Sequence, residues 1–78
     1  MHYDGSFIYG DKKIGYLMQD EIKNSLFHGQ EMITRFIDFF NEDGTPIGSC
    51  PCYGIADEMT TITSEKALNW YKEMISGK

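Results

Sequence analysis

Two cysteines, Cys50 and Cys52, flank a proline in the stretch GTPIGSCPCYG. Thiols at that spacing can form a metal grip, a redox pair or a nucleophile, and each of these demands something further. Residues two apart in an extended strand point the same way, but their Cα atoms then lie roughly 6–7 Å apart, at or beyond the reach of a disulfide. A structural zinc site takes four ligands, and beyond the two thiols the candidates are only His2 and His28. The usual Cys-x-x-Cys knuckle is missing. A nucleophilic Cys50 or Cys52 paired with His28 would still need an oxyanion loop and an orienting third group, and no motif supplies them. A small Cys/His zinc or thiol protein therefore stands as an alternative, and no metal or other cofactor is expected.

Pro51 is more informative than its neighbours. Proline has no backbone N–H, so it cannot sit in a fully paired central strand. The Cys-Pro-Cys segment must be an edge strand, a bulge or a loop. Edge strands expose backbone groups that pair with another chain, yet proline on an edge also discourages that pairing. The segment is either recognition surface or a blunted edge.

Other chemistry is sparse. The adjacent acids Asp20-Glu21, Glu42-Asp43 and Asp57-Glu58 do not make paired carboxylates, because neighbouring residues of a strand face opposite ways. There is no phosphate-cradling glycine loop, metalloprotease motif or nucleophile elbow. A chain of 78 residues has little room for a water-excluding pocket. The expectation is a binding protein, not an enzyme.

Charge suggests what it binds. Twelve acids against seven bases give a net charge of −5, and residues 36–65 hold six of the acids with no Lys or Arg. Such a segment repels phosphate backbones, so direct nucleic-acid binding is not expected. Acids can simply keep a small protein in solution. Alternatively, Asp38, Glu42, Asp43, Asp57 and Glu58 form one acidic face for a basic, nucleic-acid-handling host protein, with Tyr53 as an aromatic anchor. A homodimer through the Cys-Pro-Cys edge is the rival partnership.

The elements that must position these residues are readable in outline. Apolar content of 41% and aromatic content of 14% exceed what disordered segments carry. No apolar run reaches the length of a membrane span, and MHYDGSFIYG lacks the features of a secretory signal. With two cysteines suited to a reducing interior, a cytoplasmic location is expected. One domain should cover residues 1–78, with strands within 6–18, 32–41 and 45–50 and a further candidate strand at 59–62. EMITRFIDFFN reads as a central strand covered on two sides, because Ile33, Phe36, Ile37, Phe39 and Phe40 fall on both faces. In NEDGTP, Gly44 can take positive φ and Asp43 can close a side-chain turn. Residues 19–31 are ambiguous between helix and extended chain, with strand favoured.

A helix at about 64–76 is the clearest element. Thr63 is a good N-cap and Gly77 a good stop. Ala67, Leu68, Trp70, Tyr71, Met74 and Ile75 share one arc at helical spacing, opposite charged residues. The expected fold is α+β: an antiparallel sheet of three to five strands covered by one C-terminal α-helix.

The order of strand, turn, CPCYGI and TSEKALNWYKEMI resembles the HicB-type antitoxins, with Gly44, Pro51, Gly54, Thr63, Glu65, Ala67 and Leu68 as matching positions. The resemblance covers less than half the chain and implies neutralisation of a basic RNase by protein contact. The order of strands before a Thr-initiated helix is also similar to the arm-binding domains of phage-type integrases, which are basic where this chain is acidic. In general character the chain resembles small acidic phage-encoded inhibitors of the anti-CRISPR and anti-restriction kind. That likeness implies a phage or mobile-element inhibitor that sterically blocks its target.

Overall fold

A computed structural model describes residues 3–19, 23–60 and 62–77 of the chain. The segment QEMITRFIDFF contains neither Pro nor Gly and is rich in β-branched and aromatic residues, which suit a pleated, half-buried surface. It forms the longest strand, β4 (Gln30–Phe40), and the rest of a five-stranded antiparallel sheet is built around it. On one side, β3 (Lys23–Phe27) pairs with its first half and β2 (Lys12–Met18) with its second, one beyond the other. On the other side, β5 (Pro46–Ile55) runs along almost its whole length. β1 (Gly5–Tyr9) lies outside β2.

Local turn chemistry sets this pairing. His28 and Gly29, with φ of 52° and 79°, join β3 to β4, the left-handed pair that matches strand twist in a two-residue hairpin. Between β4 and β5, Gly44 takes a φ of 90° and the Asp43 Oδ1 accepts the Thr45 N–H at 2.9 Å. Both roles follow the expectation for NEDGTP. The same hydrogen bonding from Thr45 holds the Asp43 carboxyl below its ordinary pKa.

Two helices follow the sheet. α1 (Ala56–Met59) is a single turn that carries Asp57 and Glu58, acids that complement the partial positive charge of a helix start. α2 (Ser64–Ile75) begins where Thr63 accepts the Lys66 N–H at 3.3 Å, and ends with the Gly77 N–H donating to the Met74 carbonyl. The fold is α+β with a C-terminal helix, as expected. The candidate strand at 59–62 does not form among the described residues: Met59 closes α1 and is buried over Gly54, while Thr61 lies outside them. The return strand runs to Ile55 instead of stopping at residue 50. The ambiguous region holds strand β3, while Asp20 and Glu21 lie outside the described residues.

The core forms on one face of the sheet. Phe7, Ile14, Tyr16, Ile37, Phe39 and Cys52 point towards the helices and meet Met59, Ile62, Ala67 and Tyr71. Tyr71 reaches Phe39 edge-on at 5.1 Å between ring centroids and Phe7 at 5.5 Å, separations at which aromatic pairs attract. The Tyr16 hydroxyl donates to the Ile62 carbonyl at 2.9 Å within this core, tying β2 to the chain between the helices. Gly5 makes room for it, since a Cβ there would lie 2.4 Å from the Tyr16 oxygen. Arg35 adds a second tie, donating from Nε to the Gln19 carbonyl at 2.6 Å and from Nη1 to the Met59 carbonyl at 3.1 Å. No helix among the described residues is long and apolar enough to cross a membrane.

The expectation that β4 is covered on two sides needs correction. Ile33, Ile37 and Phe39 pair with Gly54, Cys50 and Gly48 on the helix face, whereas Phe36 and Phe40 lie on the opposite face, which no described element covers. One twelve-residue helix and one short turn cannot roof both sides of five strands.

The Tyr16–Ile62 bond gives the first test. Tyr16→Phe keeps the ring but orphans a buried carbonyl, a loss of about 1–3 kcal/mol. Urea unfolding should register that decrease; an unchanged midpoint would show that the bond contributes nothing.

Candidate interaction surface

The sheet assigns the residues of the Cys-Pro-Cys segment to opposite sides. Cys50 and Cys52 stand opposite Ile37 and Arg35 and face the helices. Cys52 is fully buried, and the Cys50 Sγ lies 3.9 Å from the Trp70 carbonyl. Burial is the main cause that raises both thiol pKa values, with Glu73 adding to it at Cys50. At Cys52 the charge of Cys50 reinforces burial and Arg35 opposes it, leaving the thiol pushed up to about 11. Thiols reach as nucleophiles and metal ligands through the thiolate, so this environment works against both uses. His28 does not join them. It sits before Gln30, while Cys52 pairs with Arg35, and five residues of strand span roughly 17 Å. Among the described residues no three His, Cys, Asp or Glu side chains gather around a common point; His2 lies outside them.

Pro51 points the other way. The Phe36 carbonyl accepts from the Gln19 N–H at 2.8 Å, on the side of β4 away from β5. Phe36 and Pro51 are therefore a non-hydrogen-bonded pair, and alternation along an antiparallel ladder turns the Pro51 nitrogen to the open edge. The backbone groups of Ser49 and Tyr53 point outward in the same way. The proline thus occupies an edge strand at a position where no ladder bond is lost, one of the three arrangements its chemistry allows.

The acids are distributed differently from their spacing in sequence. Glu42 and Asp43 lie in the turn before β5, and Asp57 and Glu58 lie in α1 just after it. The ten residues of β5 place roughly 30 Å between these pairs. Asp38 lies between them on the uncovered face, with both carboxylate oxygens accepting from the Gln19 amide at 3.0 and 2.9 Å. The fold also returns bases to the acids. Lys12 and Lys13 line one cleft with Glu42 and Asp43, and the Lys66 Nζ is 4.0 Å from Glu58. The five carboxylates do not converge into one face.

The uncovered face is instead mostly apolar, with Ser6, Thr34 and Ser49 among its polar residues. It brings Leu17, Phe36, Phe40, Pro51, Tyr53 and Ile55 to one side of the sheet. Tyr53 is 67% exposed and Ile8, on the same side of β1, 62% exposed. Tyr3 lies over Gly15 and approaches Phe40 at 5.5 Å. On β1, β2, β4 and β5 the charged residues that strand register places here are Asp38 and Lys13, one of each sign, and on β3 Lys23 pairs with Thr34 of the same face. Of the residues expected to contact a partner, Tyr53 and Asp38 share this face, and the other four acids flank it at the two ends of β5. Sequence reasoning missed Phe36 and Phe40 as surface residues. The available signal was the number of covering helices: a single amphipathic helix implies one bare face.

No family model matches the sequence, and no curated protein or solved structure is similar to it.

The thiol environment is directly testable. At pH 8 iodoacetamide should alkylate Cys52 at least about 100-fold more slowly in the native chain than in the urea-unfolded chain, the factor set by two pKa units. Equal rates would refute the burial argument. The sign for stability follows: between pH 9 and about 11 the unfolded thiol ionises first, so stability declines across that interval.

Proposed function

We propose that the chain is a non-catalytic protein-binding module that acts by occupancy through its uncovered sheet face. The observation that carries this is the uncovered side of β4 and β5, where half-buried Phe36, Phe40 and Ile55 lie beside exposed Pro51 and Tyr53. Contiguous apolar surface on a small protein commonly marks an interaction site, and Tyr is favoured among residues that dominate interface energy. A protein-binding role is also what the resemblances to HicB-type antitoxins and phage-encoded inhibitors imply. The electrostatic form of that idea, a single acidic patch meeting a basic host protein, loses its geometric support because β5 separates Glu42 and Asp43 from Asp57 and Glu58.

The test compares two variants of a tagged chain expressed alongside an untagged copy in its host. Tyr53→Glu places a charge on the apolar face and should reduce the co-purified protein, own copy or foreign chain, at least tenfold. The double variant Glu42→Lys, Asp43→Lys should leave recovery within about twofold. The opposite ranking, or recovery of nothing by the unaltered chain, would remove this reading.

A further inference from the structure

We infer that the occupant of the uncovered sheet face is a second copy of this chain, packed face to face in a two-fold dimer; the inference rests on the binding face proposed above.

Charge is the first reason. The chain carries −5 overall, yet strand register places only three formally charged residues on this face among the described residues, Lys13, Lys23 and Asp38, on three different strands. A nucleic acid or an anionic membrane surface would require a basic cluster, and a basic protein would require an acidic one. So sparsely charged a face offers no such partner an advantage. Two copies meet mostly apolar surface against mostly apolar surface while their acidic ends stay outside.

Shape is the second reason. Two sheets with the same right-handed twist pack face to face about 10 Å apart with their strands within about 30° of alignment. Identical sheets meet this condition automatically, and a two-fold axis lets each contact occur twice. The Cα envelope measures 42 × 27 × 18 Å, thin because only one layer of helix covers the sheet. A second copy turns two layers into four and places the helices on both outer sides.

Area is the third. The 33 residues of β1, β2, β4 and β5, at about 3.3 Å each and about 4.8 Å between strands, project about 520 Å² per copy. A face-to-face pair that overlaps fully then buries about 1,040 Å² in total, at the roughly 1,000 Å² expected of a specific interface.

Sedimentation equilibrium of the purified full chain, from low to high micromolar concentration, tests the inference. The expected result is a reversible monomer–dimer equilibrium, with Tyr53→Glu and, separately, Ile55→Glu raising the dissociation constant at least tenfold. Glu42→Lys, at the strand turn, should shift it less than about threefold. Circular dichroism of each variant confirms that the fold is retained, and two independent face substitutions guard against one misfolding. Hydrogen exchange separates face from edge: the outward N–H groups of Ser49 and Tyr53 should exchange at similar rates in monomer and dimer. Protection of those amides on association would overturn the face-to-face arrangement in favour of strand pairing. A 9.0 kDa monomer at several hundred micromolar would overturn the dimer altogether. If that monomer still retains a foreign protein in a Tyr53-dependent manner, the binding face stands and only its occupant changes; if it retains none, both fail.

Discussion

A strand hydrogen-bonded along both edges but roofed on one face governs this molecule. β4 gives every other strand except β1 its ladder partner, so its eleven residues set the register of the sheet. Its alternation then divides the side chains. Ile37 and Phe39 receive the helices and become the core, while Phe36 and Phe40 face away from both helices. The chain has enough helix to complete one interior and too little for two. That imbalance, and not any reactive group, gives the molecule its most distinctive surface.

The core that does form is held by aromatic contact and two carbonyl anchors. Phe7, Phe39 and Tyr71 meet at angles that suit their quadrupoles. Tyr16 and Arg35 each reach a backbone oxygen in the segment running from α1 towards α2. The Met59 oxygen ends α1 and the Ile62 oxygen lies ahead of α2, where neither has a ladder to satisfy it, so side chains from the sheet do so. The anchors fix α1 and the linker against β2 and β4, which lets a four-residue helix hold its place. Cys50 and Cys52 belong to this packed layer, which is why a spacing suggestive of chemistry produces none of the needed surroundings.

Much of the fold was legible because its signals are local. Thr63, Gly77 and the apolar arc marked α2, and Asp43 with Gly44 marked the hairpin, since caps and turns depend on neighbours in sequence. The single turn of α1 was not legible: Ala56 to Met59 is too short to show a period, and Met59 is held by packing over Gly54. The bare face was obscured because β4 places large apolar residues on both parities, a pattern that also describes a buried strand. The acidic face failed for a matter of length. A return strand ending at residue 50 would leave Asp57 and Glu58 free to fold back towards Glu42, whereas extension to Ile55 carries them to the far end. Tyr53 and Pro51 were legible as surface, because proline fixes which backbone direction faces outward.

The outward nitrogen of Pro51 bears on how chains behave while crowded together during synthesis. Cross-β growth requires an uninterrupted row of donors and acceptors, so that each incoming strand presents a fresh template to the next. Midway along β5 that row lacks a donor, and an added strand would begin to zip and then stall. Strand addition along the β5 edge is thereby disfavoured.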